Sequence, residues 1–284
     1  MSDPTTFLLG GTLLVHRLGF GAMRLAANGF TGPPRDPENS REVLHRAVEL
    51  GVDHIDTAAF YVSDDGSVSA NTLIRQALHP YPERLVLATK VGPERIPGGG
   101  VRMATDPGDL RRMVEANLEE LQLDHLDLVY LRAGGPMGSD AAESVSARVE
   151  ALAAMRDEGL ITHLGLSNVT AAQLSEAREI SPIAAVQNNH AEGAAEILQL
   201  CETHDIAFVP FFPLGGGSSS ALGEHIAEVA RRHGATAAQV SLAALLASSP
   251  VTLAIPGTGS LDHLAENMAA SSIELTDREV AELR

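Results

Sequence analysis

Apolar residues in this chain fall into short runs separated by longer stretches in which they recur every three or four positions. The short runs read as strands at 52–56, 84–90, 126–131, 161–165, 183–187, 206–211 and 251–255. The periodic stretches read as amphipathic helices near 69–79, 107–121, 143–158, 171–179, 193–204, 221–234 and 261–270. A further helix at about 236–248 has no strand before it. Upstream, Thr6 to Leu9 and Thr12 to Val15 flank Gly10-Gly11 and read as a β-hairpin. Leu18 to Met23 reads as the first strand of the repeating series. Asn39 or Ser40 is expected to cap a helix that runs through Leu50 and is ended by Gly51.

Alternating short strands and amphipathic helices imply parallel strands joined by right-handed crossovers. Counting the strand at Leu18, there are eight such units, the number that closes a (β/α)8 TIM barrel. An open doubly wound sheet is the rival fold, because the pattern alone fits both. No low-complexity tract, long linker or internal repeat interrupts the series, so residues 1–284 read as a single domain.

Composition narrows the partners. The 20 Lys and Arg against 37 Asp and Glu give a net charge of −17, which argues against nucleic acid or an anionic membrane as a partner. An anionic ligand must then be met by backbone amides or by a local positive patch. The lone cysteine, Cys201, forbids an intramolecular disulfide and falls in an apolar-periodic segment, so it reads as core. No basic region followed by a long apolar run opens the chain, and no run nears ~20 apolar residues, so a cytosolic location is expected. The histidines show no metal-ligand spacing: His225 and His233 stand eight apart, with no His-Glu-x-x-His.

Three consecutive strands end on chemistry. The run from Val52 ends on Asp56 with Tyr61 five residues on, the run from Leu85 ends on Lys90, and the run from Leu126 ends on Arg132. In either fold, the C-terminal ends of the strands carry the site. One charged tip is ordinarily a solvated end, and Asp56 with Lys90 alone could be a salt bridge stapling two strands. Three in succession direct Asp56, Tyr61, Lys90 and Arg132 to one rim. Gly19-x-Gly21 lacks the third glycine and distant acid of a dinucleotide fingerprint, and reads as room for a ligand to approach the backbone.

His54-Ile55-Asp56-Thr57-Ala58, Tyr61, Ala88-Thr89-Lys90 and Gly165-Leu166-Ser167-Asn168 resemble the motifs of the aldo-keto reductases. The pyridoxal reductase subgroup is similar also in Gly32-Pro33-Pro34-Arg35-Asp36 and in Val209 to Gly216. The resemblance covers nearly the whole chain. It implies a barrel plugged by the N-terminal hairpin, and a catalytic tetrad of which Asp56, Tyr61 and Lys90 are three members. The fourth position, usually histidine, is Arg132. The resemblance thus implies reduction of a carbonyl, with Tyr61 as the proton donor. A phenol of ordinary pKa near 10 is a weak acid, and Lys90, held charged by Asp56, is expected to pull it toward the working range. Arginine keeps its proton at any ordinary pH, so Arg132 cannot relay one. It can polarise the carbonyl or grip an anionic substituent of the substrate. Otherwise it turns to solvent or to Asp127.

The same resemblance implies NADPH as hydride donor, with NADH open. It places the nicotinamide against Ser167, Asn168, Gln187 and Phe211, with Gly21, Met23 and Asp56 beside them, and the pyrophosphate on Pro213, Leu214, Gly215 and Gly216. The adenosine end falls on Ile255, Gly257, Thr258, Ser260, His263, Glu266 and Asn267. Relatives that select NADPH usually carry Lys or Arg at two or three of those last positions. This chain has Gly257, Gly259 and His263 instead, leaving the Thr258 and Ser260 hydroxyls and the helix start at Leu261 to meet phosphate. The expected substrate is a small carbonyl compound, pyridoxal first and an aldehyde or ketone of specialised metabolism second. A short C-terminal end after Glu279 implies an open mouth shaped by loops 92–105 and 133–142. A cofactor-sensing barrel with little turnover is the alternative that the Arg132 replacement keeps open.

Overall fold

The strands form where the apolar runs predict them. The computed structural model describes residues 3–29, 31–96, 100–134, 143–189, 194–211 and 220–283. Seven parallel strands stand in chain order: Phe20–Gly21, His54–Asp56, Val86–Val91, Leu126–Arg132, Ile161–Ser167, Ile183–Gln187 and Ala207–Phe208. The segment around Thr252 is the eighth member. It forms no continuous ladder, yet Thr252 bridges Phe208 and Ala254 bridges Leu18, both in parallel. The Leu253 amide donates to the Phe208 carbonyl at 2.9 Å and the Ala254 amide to the Arg17 carbonyl at 2.8 Å. The segment therefore joins the two edges of the sheet. This closes the barrel and excludes the open doubly wound alternative.

The hairpin pairs Thr6–Leu9 with Leu13–His16, and it turns at Gly10 and Gly11 with φ of 58° and 75°. Its Leu9 and Val15 are buried against Val86, Ala88, Leu128, Tyr130, Leu253 and Ile255, which fill the barrel interior. Outside, helices Pro37–Glu49, Ala70–Leu78, Pro107–Leu121, Ser146–Asp157, Ala171–Ile180, Ala194–Thr203, Ser220–His233 and Leu261–Ala269 cover the strands, with Ala237–Ser248 as the extra helix. Pro107–Leu121 shows the logic: Leu110, Met113, Val114, Asn117 and Leu121 recur at helical spacing and are the residues it buries.

Several local expectations are corrected. The helix Pro37–Glu49 is capped by Asp36, whose side chain accepts from the Glu38 amide at 3.0 Å, with Pro37 opening it; Asn39 and Ser40 lie inside. An Asp-Pro pair supplies both a cap and a pre-set φ, and so starts the helix earlier. Met23 is not strand but opens the short helix Met23–Ala26. The strand expected over 206–211 is only Ala207–Phe208, because beyond it the pairing continues as an isolated bridge between Phe211 and Asn189. An antiparallel pair, Pro93–Arg95 with Val101–Met103, and a last helix, Asp277–Glu282, were not legible in the pattern. Cys201 is buried, and burial with the charge of Glu202 pushes its thiol up to about 12.

Candidate active site

The two-residue period of a strand decides which side chains enter the barrel. Val86 and Ala88 face the interior and Leu87 and Val91 pack with the outer core, so Lys90 has the interior parity. Leu128 and Tyr130 are interior, so Arg132 is too. Register then sets depth: Asp56 pairs with Ala88, Lys90 with Tyr130, and Ser167 with both Arg132 and Gln187. The strand ends thus bring Asp56, Lys90, Arg132, Ser167 and Gln187 together in the upper part of the barrel.

Lys90 Nζ donates to Asp56 Oδ1 at 2.5 Å and to the Thr57 carbonyl at 3.0 Å. Gln187 Nε2 donates to the other Asp56 oxygen at 2.8 Å, so both carboxylate oxygens are engaged. The pair is nearly dry, with Lys90 2% and Asp56 4% exposed. Burial pushes the Lys90 ammonium down, but Asp56 and Tyr61 more than offset it and hold its pKa above the ordinary value. Lys90 Nζ lies 4.9 Å from the centre of the Tyr61 ring. Here the expectation of an acidified phenol is corrected. Burial raises the Tyr61 pKa, and Asp56 adds to that, outweighing the lowering by Lys90 and Arg132. A carboxylate that keeps lysine charged also repels a phenolate, so Tyr61 rests fully protonated.

Arg132 turns neither to solvent nor to Asp127. Its Nη1 donates to Ser167 Oγ at 3.3 Å, and its guanidinium carbon lies 5.5 Å from the centre of the Phe211 ring. Burial lowers its pKa, while Tyr61 and Asp56 raise it, so it sits in the field of the same group. Asp127, of opposite parity, accepts from the Leu87 amide at 2.8 Å. Asn168 takes a left-handed φ of 56°, and its amide donates to the Gln187 carbonyl at 3.0 Å.

The glycines of the first strand serve the chain itself. A Cβ on Gly19 would lie 2.3 Å from the His54 ring, and one on Gly21 2.6 Å from the Ile255 carbonyl oxygen. The expected ligand approach is instead an approach of protein to protein. That contact carries the segment from Ile255, which lines the interior with Asp56, outward past Gly21 to the helix at Leu261. Along it Gly257 packs on the Gly21 backbone and Thr258 is buried. Ser260 caps the helix, accepting from the His263 amide at 3.4 Å. Glu266 is engaged elsewhere: its carboxylate accepts from Thr236 Oγ1, and its carbonyl from Gln239 Nε2 at 3.0 Å. Asn267 is buried on that helix, and Met23 is half-buried against the outer core. Pro213, Leu214, Gly215 and Gly216 lie outside the described residues.

The model of the Aldo/keto reductase family matches residues 17–284. The chain belongs to that family. It is 45% identical over 285 residues to a pyridoxine 4-dehydrogenase of Escherichia coli, covering 99% of this chain and 98% of the relative. A thermostable aldo-keto reductase solved with the inhibitor epalrestat superposes with a TM-score of 0.82 at 29% identity, covering 98% of each chain. An aldo-keto reductase of Klebsiella pneumoniae solved with NADPH gives 0.78 at 26%, covering all of this chain and 94% of the other. Family membership places the chain among the NAD(P)H-dependent oxidoreductases.

Sequence reasoning missed the support behind the Asp56–Lys90 pair. Thr57 Oγ1 donates to Asn71 Oδ1 at 2.8 Å, and Asn71 Nδ2 donates to Asn117 Oδ1 at 3.0 Å and Glu120 at 2.9 Å. Thr89 Oγ1 donates to Asn117 Oδ1 at 2.6 Å. Thr57 and Thr89 each neighbour a predicted site residue and carry the outward parity, a signal that could have flagged them. Asn71 and Asn117 sit at buried helix positions that no single sequence distinguishes. Among the described residues no group of ligands could hold a metal ion, and no helix is long and apolar enough to cross a membrane.

Proposed function

We propose that the chain reduces an aldehyde to an alcohol with NADPH, with pyridoxal as the first candidate substrate. The observation that carries this is the buried Tyr61, its ring centre 4.9 Å from Nζ of the dry Lys90–Asp56 pair, with Arg132 in the same upper part of the barrel. The residues fit a nicotinamide. Ser167 accepts from Arg132 through its oxygen and keeps its own hydroxyl proton to donate, Gln187 keeps its amide oxygen to accept, and the Phe211 ring stands beside them. Bound there, the cofactor would supply the hydride.

The chain's own residues do the rest. Tyr61 gives its hydroxyl proton to the carbonyl oxygen as negative charge develops there. Lys90 stabilises the phenolate left behind, and Asp56 keeps Lys90 charged and aimed. Arg132 meets the anionic oxygen that pyridoxal carries next to its aldehyde, a fixed charge where a neutral hydrogen-bond donor would not discriminate. The E. coli relative is named for dehydrogenation of pyridoxine at its 4 position, the reverse of the same conversion.

The test is loss of reduced-nicotinamide absorbance on mixing the protein with pyridoxal, in parallel with NADPH and NADH. Rapid oxidation of NADPH supports the proposal. NADPH binding without oxidation of any aldehyde or ketone offered would replace it with a cofactor-sensing barrel.

A further inference from the structure

The segment that runs from the barrel interior to the helix at Leu261 carries no lysine or arginine. The fold supplies one from elsewhere. Arg35, in the Gly-Pro-Pro-Arg-Asp run before the first long helix, lays its guanidinium on Gly259. A Cβ on that glycine would stand 2.4 Å from the guanidinium carbon and from Nη2. The missing side chain is the space the arginine occupies. Nη2 donates to the Gly259 carbonyl at 3.1 Å and Nη1 to Asn28 Oδ1 at 3.1 Å. Asn39 Nδ2 reaches the same carbonyl at 2.9 Å, so the placement is fixed from both sides.

Both partners of Arg35 are neutral amide groups. Many of the described arginines of this chain, Arg41, Arg46, Arg102, Arg111, Arg112, Arg156, Arg231 and Arg278 among them, pair with a carboxylate. No described carboxylate pairs with Arg35. Its charge stands uncompensated one residue from the Ser260 cap, in a protein of net charge −17. Ser260, His263 and Asn267, three and four apart, share one face of the following helix. Asn267 is only 5% exposed. A cation without a described carboxylate partner and a helix start thus lie along one wall that leads out from the reacting groups. The carboxylate of Asp262, in the helix's first turn, is exposed to water and competes weakly.

We propose that Arg35 is the residue that selects a cofactor bearing a 2′-phosphate on its adenosine ribose over one that lacks it. The inference rests on the cofactor placement of the preceding section. It transfers the selecting charge from the 255–267 segment, where sequence reasoning looked for it, to the loop before the first long helix. A guanidinium offers paired donors to phosphate oxygens, and Arg35 keeps Nε and the remaining Nη protons for that purpose.

Calorimetric binding of NADP+ and NAD+ to the full chain and to Arg35→Gln and Arg35→Lys tests it without requiring turnover. Glutamine retains a donor for Gly259 and removes the charge. Arg35→Gln should weaken NADP+ on the order of 10- to 100-fold and leave NAD+ within about two-fold. Arg35→Lys should lose less. NADP+ affinity of the wild type, but not of Arg35→Gln, should fall steeply with salt. Equal weakening of both cofactors would make Arg35 a staple of the segment or a pyrophosphate contact, and would overturn the proposal. So would no change in either. If the wild type binds NAD+ as tightly as NADP+, the selectivity claim fails while the reductase reading stands. Binding of neither would bring down that reading and this one together.

Discussion

Replacing Asp56 by asparagine isolates what the buried pair contributes. Lys90 is 2% exposed and would keep the Thr57 carbonyl at 3.0 Å and its contact with Tyr61, with a neutral amide oxygen in place of the carboxylate now at 2.5 Å. Removing one partner of a buried ion pair costs about 3–5 kcal/mol, because the other charge is left without compensation. Against a total stability of about 5–15 kcal/mol, the variant should still fold. The pH dependence identifies the cause. In the wild type the Lys90 pKa is raised, so its contribution is full below the unfolded value of about 10.4 and is lost only as pH climbs through the folded value. In Asp56→Asn, burial, the largest influence on Lys90, is no longer offset by the carboxylate and outweighs Tyr61, lowering the folded pKa. The unfolded chain then binds more protons, and stability rises with pH toward about 10. The assay is urea unfolding followed by circular dichroism, since the chain has no tryptophan. The gap between the two proteins should be about 3–5 kcal/mol at pH 7 and should narrow by pH ~9.5. A gap below about 1 kcal/mol, constant with pH, would show an ordinary solvated bridge instead of a dry pair.

Three other perturbations probe separate links. Gly165→Ala would set a Cβ 2.6 Å from the Tyr130 ring and 3.1 Å from the Ala185 carbonyl; it should cost about 1–3 kcal/mol, read by melting temperature, with part recovered in a Gly165→Ala, Tyr130→Leu double variant. His54 is buried with no hydrogen bond to either ring nitrogen, the Asp53 carboxylate standing 3.6 Å from Nδ1, so His54→Leu should leave stability unchanged within about 1 kcal/mol or raise it; a loss beyond about 2 kcal/mol would mean a strong partner at that ring. Arg132→His should raise KM for pyridoxal about 10-fold or more while leaving a neutral aromatic aldehyde nearly unaffected, and equal effects on both would remove the anion-gripping role.

Much of the fold was legible because strands and helices here obey their own periods. Even so, the eighth strand, expected at 251–255, forms two bridges rather than a continuous ladder, held by backbone hydrogen bonds to Phe208 on one side and to Arg17 and Gly19 on the other. The candidate site was legible where a strand ended on a charged residue: Asp56, Lys90 and Arg132 were read from strand ends, while Gln187 was implied by the family resemblance. What strand pattern cannot show is contact between distant loops. Arg35 meets Gly259 from the far end of the chain, and Gly21 meets Ile255 in the same way. Gln187 was read as a ligand contact, and the structure also gives it Asp56. The Tyr61 pKa was misjudged because the lysine was weighed without the carboxylate that accompanies it and without the burial of both.

The proposed reduction turns on proton donation by Tyr61. Single-turnover oxidation of bound NADPH by pyridoxal, compared between the wild type and Tyr61→Phe at equal cofactor occupancy, tests it most directly. Tyr61→Phe should lose about 10²- to 10⁴-fold in the chemical step with unchanged NADPH affinity. An undiminished rate in Tyr61→Phe would contradict it and send the search for the acid to another group at the same rim.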